Sequence, residues 1–478
     1  MARLASTFIM FFCYVATNAQ TEITNIVHQS ESGAPILEGF VIKQPEETGF
    51  AVLLNDGRSL YLNSFDGNFN YLNHLTVNPP AGRSSFVAST ATADGNYHLL
   101  YKSARNPLLT RQTVNLSNES VTTHTTDLNL LDQEILGTYG DSDGLHILTA
   151  SKHQPKIFHH LLSPNFEGTS QLFDLSELSF QLGNESVPFH ELFFEQWREF
   201  YSLGFDGASV FPTALPEATR TSKVFRQGSR FVFTVDRNAG STQLLTIDII
   251  NGEIGTQVIS QREVVSEKNI RQSNSYLKDS VLYQMVRTND SLHLMATNWV
   301  TGNAVNSYAL GASEKIPISN TATLQEKPSK RKRKVVDGHK FLRSLNTDPI
   351  GLVVNKVNGR HQITYGSWNE SRGNNAKLDN SRNVDPMVGV MTGMFGVAGG
   401  LLYYALSSGG NSAQSYGLHH RGMTTRALAV FNDQFEHVPA EGVQATIYHK
   451  IDYYNARRED TTPMLLFQFN DQIVYGSF

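Results

Sequence analysis

Between Ser229 and Ile259 the chain alternates short apolar runs with tight turns: Phe231 to Val235, then Asn238-Ala239-Gly240, Leu244 to Ile249, Asn251-Gly252 and Val258-Ile259. β-Branched and aromatic runs bounded by Asn, Asp and Gly read as strands joined by hairpins. The stretch therefore predicts three antiparallel strands. The pattern then recurs as Val281 to Val286, a turn at Asn289-Asp290, Leu292 to Ala296, and Thr301-Gly302 where Asn251-Gly252 stood. A fixed period of this kind predicts a repeat architecture.

A two-residue turn followed by a short apolar strand occurs along the whole chain. The turns are Asp56-Gly57 before SLYLNS, Asp94-Gly95 before YHLLYKS, Asp143-Gly144 before LHILTAS and Ala239-Gly240 before TQLLTID. They continue with Asn289-Asp290 before LHLMATN, Asn358-Gly359 before HQITYGS and Asn470-Asp471 before QIVYGSF. Such pairs favour type I′ turns, whose twist matches the flanking strands, so each predicts a hairpin. The strand before the turn is often apolar at successive positions, as in FAVLLN, RFVFTV and MLLFQF. Both of its faces are then buried. Inner strands of stacked propeller blades meet that condition in an antiparallel protein. The expected fold is all-β: a propeller of about seven, between six and eight, four-stranded blades with a short helical insertion. If Thr21 to His28 adds an outer strand beside MLLFQF, the ring closes on itself.

Three segments break the pattern and are expected as insertions, at about 184–220, 311–337 and 371–425. In SVPFHELFFEQWREFYSL, Ser186 stands where it caps a helix with Pro188 in the first turn, and Phe189, Phe193, Trp197 and Phe200 share one face with Leu192. This predicts a helix over Ser186 to Leu203 whose aromatic stripe meets the rim or a partner. Lys330, Arg331, Lys332, Arg333 and Lys334 form a basic run expected to be a solvated loop. MVGVMTGMFGVAGGLLYYAL, from Met387 to Leu406, is uncharged. Its Gly389, Gly393 and Gly396 are expected at crowded backbone, with Gly399-Gly400 as a turn between strands, in preference to a buried helix or a membrane span.

Composition sharpens the picture. Charged residues make up 17% of the 478 and glycine numbers 36, which suits many turns rather than many helices. The net charge of −5 gives no global pull toward nucleic acid. Arg3 precedes an apolar run from Phe8 to Ala16 that ends in Thr17-Asn18-Ala19, which predicts a signal peptide over 1–19 and export of 20–478. The one cysteine, Cys13, lies within it, so the mature chain is expected to stand without disulfides.

The units LLTIDIINGEI and LMATNWVTGNAV resemble the blade repeats of quinoprotein-like and WD40-like propellers, and the Ala19-Gln20 junction resembles those of exported Bacteroidetes proteins. The resemblance implies a periplasmic or cell-surface propeller.

Candidate chemistry is sparse. His190-Glu191 lacks the second histidine of a zinc-protease helix, because Phe194 occupies its place. His159-His160 and His419-His420 point to opposite faces of a strand and are expected at the surface. No nucleophile elbow, Walker loop or dinucleotide fingerprint occurs. The expectation is a non-catalytic scaffold that binds a protein or saccharide ligand without a cofactor or metal, and without nucleic acid. A hydrolase or lyase using funnel carboxylates is the alternative, and a membrane-anchored or outer-membrane protein the third.

Overall fold

The computed structural model describes residues 22–28, 38–44, 49–194, 200–203, 215–261, 270–370, 422–438, 462–469 and 472–477, apart from short breaks within these ranges. Strand β1 (Glu22–His28) opens it. The first sheet follows as β2 (Glu38–Lys43), β3 (Gly49–Asn55), β4 (Leu60–Asp66) and β5 (Tyr71–Val77). The second is β6 (Ser84–Ala91), β7 (Asn96–Ser103), β8 (Leu108–Asn115) and β9 (Ser120–Asn129). The third is β10 (Gln133–Asp141), β11 (Gly144–Ser151), β12 (Lys156–Leu162) and β13 (Gly168–Asp174). Each pairs its strands antiparallel in sequence order, as expected of consecutive blades.

A small hairpin, β14 (Ser179–Leu182) and β15 (Glu185–Pro188), and a one-turn helix, α1 (Glu191–Phe194), come next. The fourth sheet gains a strand: β16 (Phe200–Leu203) runs parallel to β17 (Ser222–Gln227), after which β18 (Arg230–Val235), β19 (Ser241–Asp248) and β20 (Ile254–Ser260) meander outward. Between β16 and β17 lies the short α2 (Leu215–Ala218). The fifth sheet is β21 (Ile270–Lys278), β22 (Val281–Thr288), β23 (Ser291–Asn298) and β24 (Ala304–Gly311). In the sixth, β25 (Thr323–Lys327) and β26 (Lys330–Val335) precede α3 (Gly338–Ser344), β27 (Ile350–Val357), β28 (Arg360–Glu370) and β29 (Gly422–Phe431). Its spatial order is β26-β25-β29-β28-β27. Finally β30 (Thr462–Phe469) and β31 (Gln472–Ser477) form a three-stranded sheet with β1.

This is the β-propeller architecture the periodicity predicts, and each of the seven turns quoted above is flanked in the chain by strands that pair antiparallel, although Gly57, Ala239, Asn358-Gly359 and Asn470-Asp471 themselves lie outside the described residues. One detail differs. At Asp94-Gly95 the Gly95 amide bonds the Thr92 carbonyl at 3.0 Å and only Gly95 has positive φ, +79°. Of the pair Asp94-Gly95 only the glycine is therefore left-handed, whereas a two-residue I′ turn needs positive φ at both.

Burial follows strand position. In the first sheet the second and third strands are covered on both sides: every residue of β3 and β4 except the last is buried. The outer strands β20 and β24 instead alternate between covered and exposed positions. First strands neighbour one another across the seams, β6 touching both β2 and β10, and β21 touching β27. Apolar clusters bridge successive sheets. Leu53 and Leu62 pack with Leu99 and Val114, Leu100 with Leu145 and Ile147, and Leu148 with Val224 and Phe233. Phe225 and Val232 pack with Leu282 and Met285, and these with Leu352 and Ile363. Each such side chain contributes about 1.5–3 kcal/mol when withdrawn from water.

The predicted helix over Ser186 to Leu203 is corrected. Ser186 belongs to β15 and faces Gln181 across the hairpin; among the described residues of this stretch helix covers only α1, and Phe200 lies in β16. Packing overrides the helical spacing, since Phe189 sits with its ring 5.5 Å from both Phe180 and Phe233. The basic run is corrected too: Lys330 to Lys334 is strand β26, held by pairing with β25, which in turn takes the place beside β29 that a fourth strand occupies elsewhere.

Candidate functional site

The largest convergence of titratable groups lies in the seam between the third and fourth sheets, where the end of β10 meets the end of β17. His146 Nε2 lies 2.9 Å from Asp141 Oδ1, and its Nδ1 lies 2.8 Å from His159 Nε2. With Asp141 ionised, His146 donates through Nε2 and accepts at Nδ1, so His159 donates to it. The Tyr139 ring stacks on His146 at 4.2 Å, and the Arg226 guanidinium lies 3.5 Å over the far side of Tyr139. Arg226 also reaches Asp141 Oδ2 at 3.5 Å. Asp141 thus joins a histidine of its own sheet to an arginine of the next.

Burial holds both histidines neutral. It pushes the His146 pKa down against the hydrogen bond and charge of Asp141, and it takes His159 down to about 4, reinforced by the repulsion that protonated His146 and His160 would exert on a charged His159. The Tyr139 phenol is pushed up to about 12, again by burial. On the opposite face of β12, His160 bonds Ser170 Oγ at 2.7 Å, Gln133 Oε1 at 2.9 Å and Thr149 Oγ1 at 3.1 Å. The opposite-face reading of His159 and His160 is right, but neither is a surface residue: they are 8% and 2% exposed. The sequence spacing carried no sign of this, because the partners come from β10, β11 and β13.

The next seam holds a second buried network. Lys223 on β17 is fully buried, with Nζ 3.4 Å from Asp236 Oδ2 and 3.0 Å from Asn274 Oδ1 on β21, and it donates to the Arg220 carbonyl. Asp236 accepts from Thr242 Oγ1 at 2.7 Å and from the Ser275 amide and hydroxyl at 2.9 and 2.7 Å. Burial pushes the Lys223 ammonium pKa down while Asp236 opposes the shift. Among the described residues no group of three or more His, Cys, Asp or Glu is arranged to hold a metal ion.

At the rim the chain presents aliphatic side chains. Leu172 on β13 is 51% exposed, Val258 on β20 63%, and Ile250 and Val300, in the β19–β20 and β23–β24 turns, 77% and 60%. These turns lean on the preceding sheet: Gln171 Nε2 is 3.7 Å from where a Cβ on Gly252 would stand, and Gln257 Nε2 is 3.6 Å from that of Gly302. The four aliphatic residues, a row in chain order, thus belong to the outer parts of three successive sheets.

Of the residues singled out in the sequence, Phe189 and Leu192 are buried in the seam cluster with Phe180, Val187 and Phe233. Phe193 lies in α1 and Phe200 in β16. Trp197, His419-His420 and the glycines Gly389, Gly393, Gly396, Gly399 and Gly400 lie outside the described residues. Among the described residues His190 is not joined by a second histidine, and Lys330 to Lys334 lie in the sixth sheet, whereas the histidine seam belongs to the third and fourth. No described helix is long and apolar enough to cross a membrane, a statement that does not extend to strands.

No established family and no curated protein matches this sequence. Among solved structures the chain is similar to the Nup133 β-propeller domain of Vanderwaltozyma polyspora, at 14% identity and TM-score 0.31, over 73% of this chain and 86% of that one. It is similar to the SapL1 lectin in complex with alpha methyl fucoside, at 10% identity and TM-score 0.26, over 71% and 91%. TolB from Acinetobacter baumannii matches at 11% identity and TM-score 0.25, over 57% and 53%.

Proposed function

We propose that the protein is an exported, non-catalytic propeller that serves as a binding scaffold in the periplasm or at the cell surface. The observation that carries this reading is the state of its convergent acid–base groups. Lys223 with Asp236, and His146 with Asp141, pair within their own sheets, and each pair is tied to the next sheet, the first through Asn274 and Ser275 and the second through Arg226, where the effect is to fix one blade against the next. A catalytic group needs a free valence facing a space that admits substrate. The apolar side chains offered outward include Leu172, Ile250, Val258 and Val300 on three successive sheets, and exposed apolar side chains that gather into a patch mark contact surfaces for other proteins.

The test is a variant carrying Ile250→Asp, Val258→Asp and Val300→Asp. It is expected to keep its thermal midpoint within a few degrees and to lose the protein partner that site-specific cross-linking from position 172, left unsubstituted in this variant, captures with the parent. Retained cross-linking would remove the row from the reading. The hydrolase alternative draws on the Asp141–His146–His159 chain of hydrogen bonds. Turnover of a peptide or polysaccharide that disappears in a folded His146→Gln variant would establish it and overturn the scaffold reading.

A further inference from the structure

We infer that the hairpin β25–β26 is a docking site for an acidic linear polysaccharide, on strands that carry none of the aliphatic residues of the proposed partner surface. The inference starts from topology. In the sixth sheet β25 pairs antiparallel with β29, and β26 pairs with β25, so β26 is the terminal strand and lies one strand beyond the usual blade width. Its sequence is KRKRKV, and β25 ends in Lys327, which faces Lys330 across the turn. From Thr323 to Val335 the hairpin holds six cations against the single carboxylate of Glu326, whereas the whole chain is net −5. Positive charge is thus gathered at one edge of an otherwise acidic protein, which concentrates polyanions there.

Edge strands are often charged simply to prevent pairing with other edges. That need does not account for this strand. β20 and β24 also end their sheets, and IGTQVIS and AVNSYALG contain no charged residue. One or two cations would blunt an edge, while five in succession set up a regular array.

The array fits a linear polymer better than a membrane. Residues of a strand alternate between faces, which places Lys330, Lys332 and Lys334 in one register and Arg331 and Arg333 in the other, repeating about every 7 Å. A chain with regularly spaced carboxylates or sulfates matches a repeat of that kind. A bilayer surface is served by a basic face backed by apolar side chains that enter the acyl boundary. Here Leu324 and Val335 are the apolar residues of the hairpin. An acidic polysaccharide also suits the exported location proposed above, where such polymers are accessible, although the charge argument stands without it.

The experiment uses the full-length protein with two probes, a sulfated polysaccharide and vesicles of phosphatidylglycerol, each at 50 and 500 mM salt. Wild type is expected to bind the polysaccharide at low salt and to weaken at least 10-fold at high salt. The variants are Lys330→Gln/Lys332→Gln/Lys334→Gln, Arg331→Gln/Arg333→Gln, and all five together. The five-fold variant should lose binding at least 10-fold with an unchanged thermal midpoint. Polysaccharide binding that is absent, or unaltered in that variant, overturns the inference. Binding to vesicles without binding to polysaccharide overturns it in favour of lipid headgroups. A five-fold variant that fails to fold is replaced by the two partial variants, of which at least one must weaken binding for the inference to stand. None of these substitutions touches the aliphatic row, so failure here leaves the scaffold reading intact, and loss of the row's partner leaves this site intact.

Discussion

A buried histidine with a complete set of partners is invisible in a sequence, and His160 illustrates why. Its neighbours Gln133, Thr149 and Ser170 lie 27, 11 and 10 positions away, joined only by strand pairing. The same holds for Lys223 and Asn274, which are 51 positions apart. What the sequence did reveal at this scale were residues that act locally, such as glycines and Asx residues in turns. The buried histidines have a measurable consequence. Burial brings His98, His159 and His160 from 6.5 in the unfolded chain to about 4 in the folded protein. Because these pKa values are depressed, the unfolded chain binds protons first as pH falls. Stability is therefore complete above about pH 6.5 and is lost between there and pH 4, at up to about 3 kcal/mol per histidine. The thermal midpoint is expected to stay flat from pH 8 to 7 and to fall steeply toward pH 4. His160→Gln should shallow that fall, and a midpoint that does not change from pH 7 to 4.5 would contradict the assignment.

At the scale of elements, hairpins were legible and the helix was not, for related reasons. A turn is fixed by its own residues. Asp66, Asn115, Asp248, Asn298 and Asn432 each open the turn after a third strand by accepting amides two to four residues on. A helix of one face needs a groove to lie in, and Phe189 instead found a place between Phe180 and Phe233. The basic run was misjudged because charge argues against a core strand but not against an edge strand supported by a neighbour. The turn glycines separate two physical demands. Gly95, at φ +79°, has open space where a Cβ would point. Gly144, at φ +138°, has the backbone of Leu162 there, its carbonyl oxygen overlapping the position. Gly95→Ala should therefore cost only the left-handed conformation, about 1 kcal/mol. Gly144→Ala adds displacement of the β12 end and should cost about 3 kcal/mol. Urea unfolding of the two variants measures the difference, and equal losses would mean that the β11–β12 approach is looser than described.

Across the whole molecule, the sheets from the first to the sixth are joined by apolar seams between neighbours, as in any array of repeats. Such an array has two ends, and its first and last sheets each lack one neighbour. The chain deals with this by pairing β1 with β30 over Glu22 to His28, which brings its two termini into one sheet. The hydrophobic pattern suggested this partnership because MLLFQF lacks a polar face and QIVYGSF follows it directly. The register was not legible, because a strand that is apolar throughout specifies alignment weakly. Here Asn25 stands opposite Leu465, with Ile26 opposite Met464. The closure is therefore open to a direct test. Cysteines at directly opposed positions of an antiparallel pair lie within the separation a disulfide spans. Cys13 falls in the predicted leader, so the mature protein would bring no competing thiol. The Asn25→Cys/Leu465→Cys variant is expected to oxidise without added partner and to raise the thermal midpoint, since its loop of several hundred residues removes about 6 kcal/mol of unfolded-chain entropy by the loop-closure estimate. Shifting one cysteine, as Asn25→Cys/Phe467→Cys, should give slow or no cross-linking. If the shifted pair links as readily as the opposed one, the termini meet loosely, and the ends of the array are held by something other than this register.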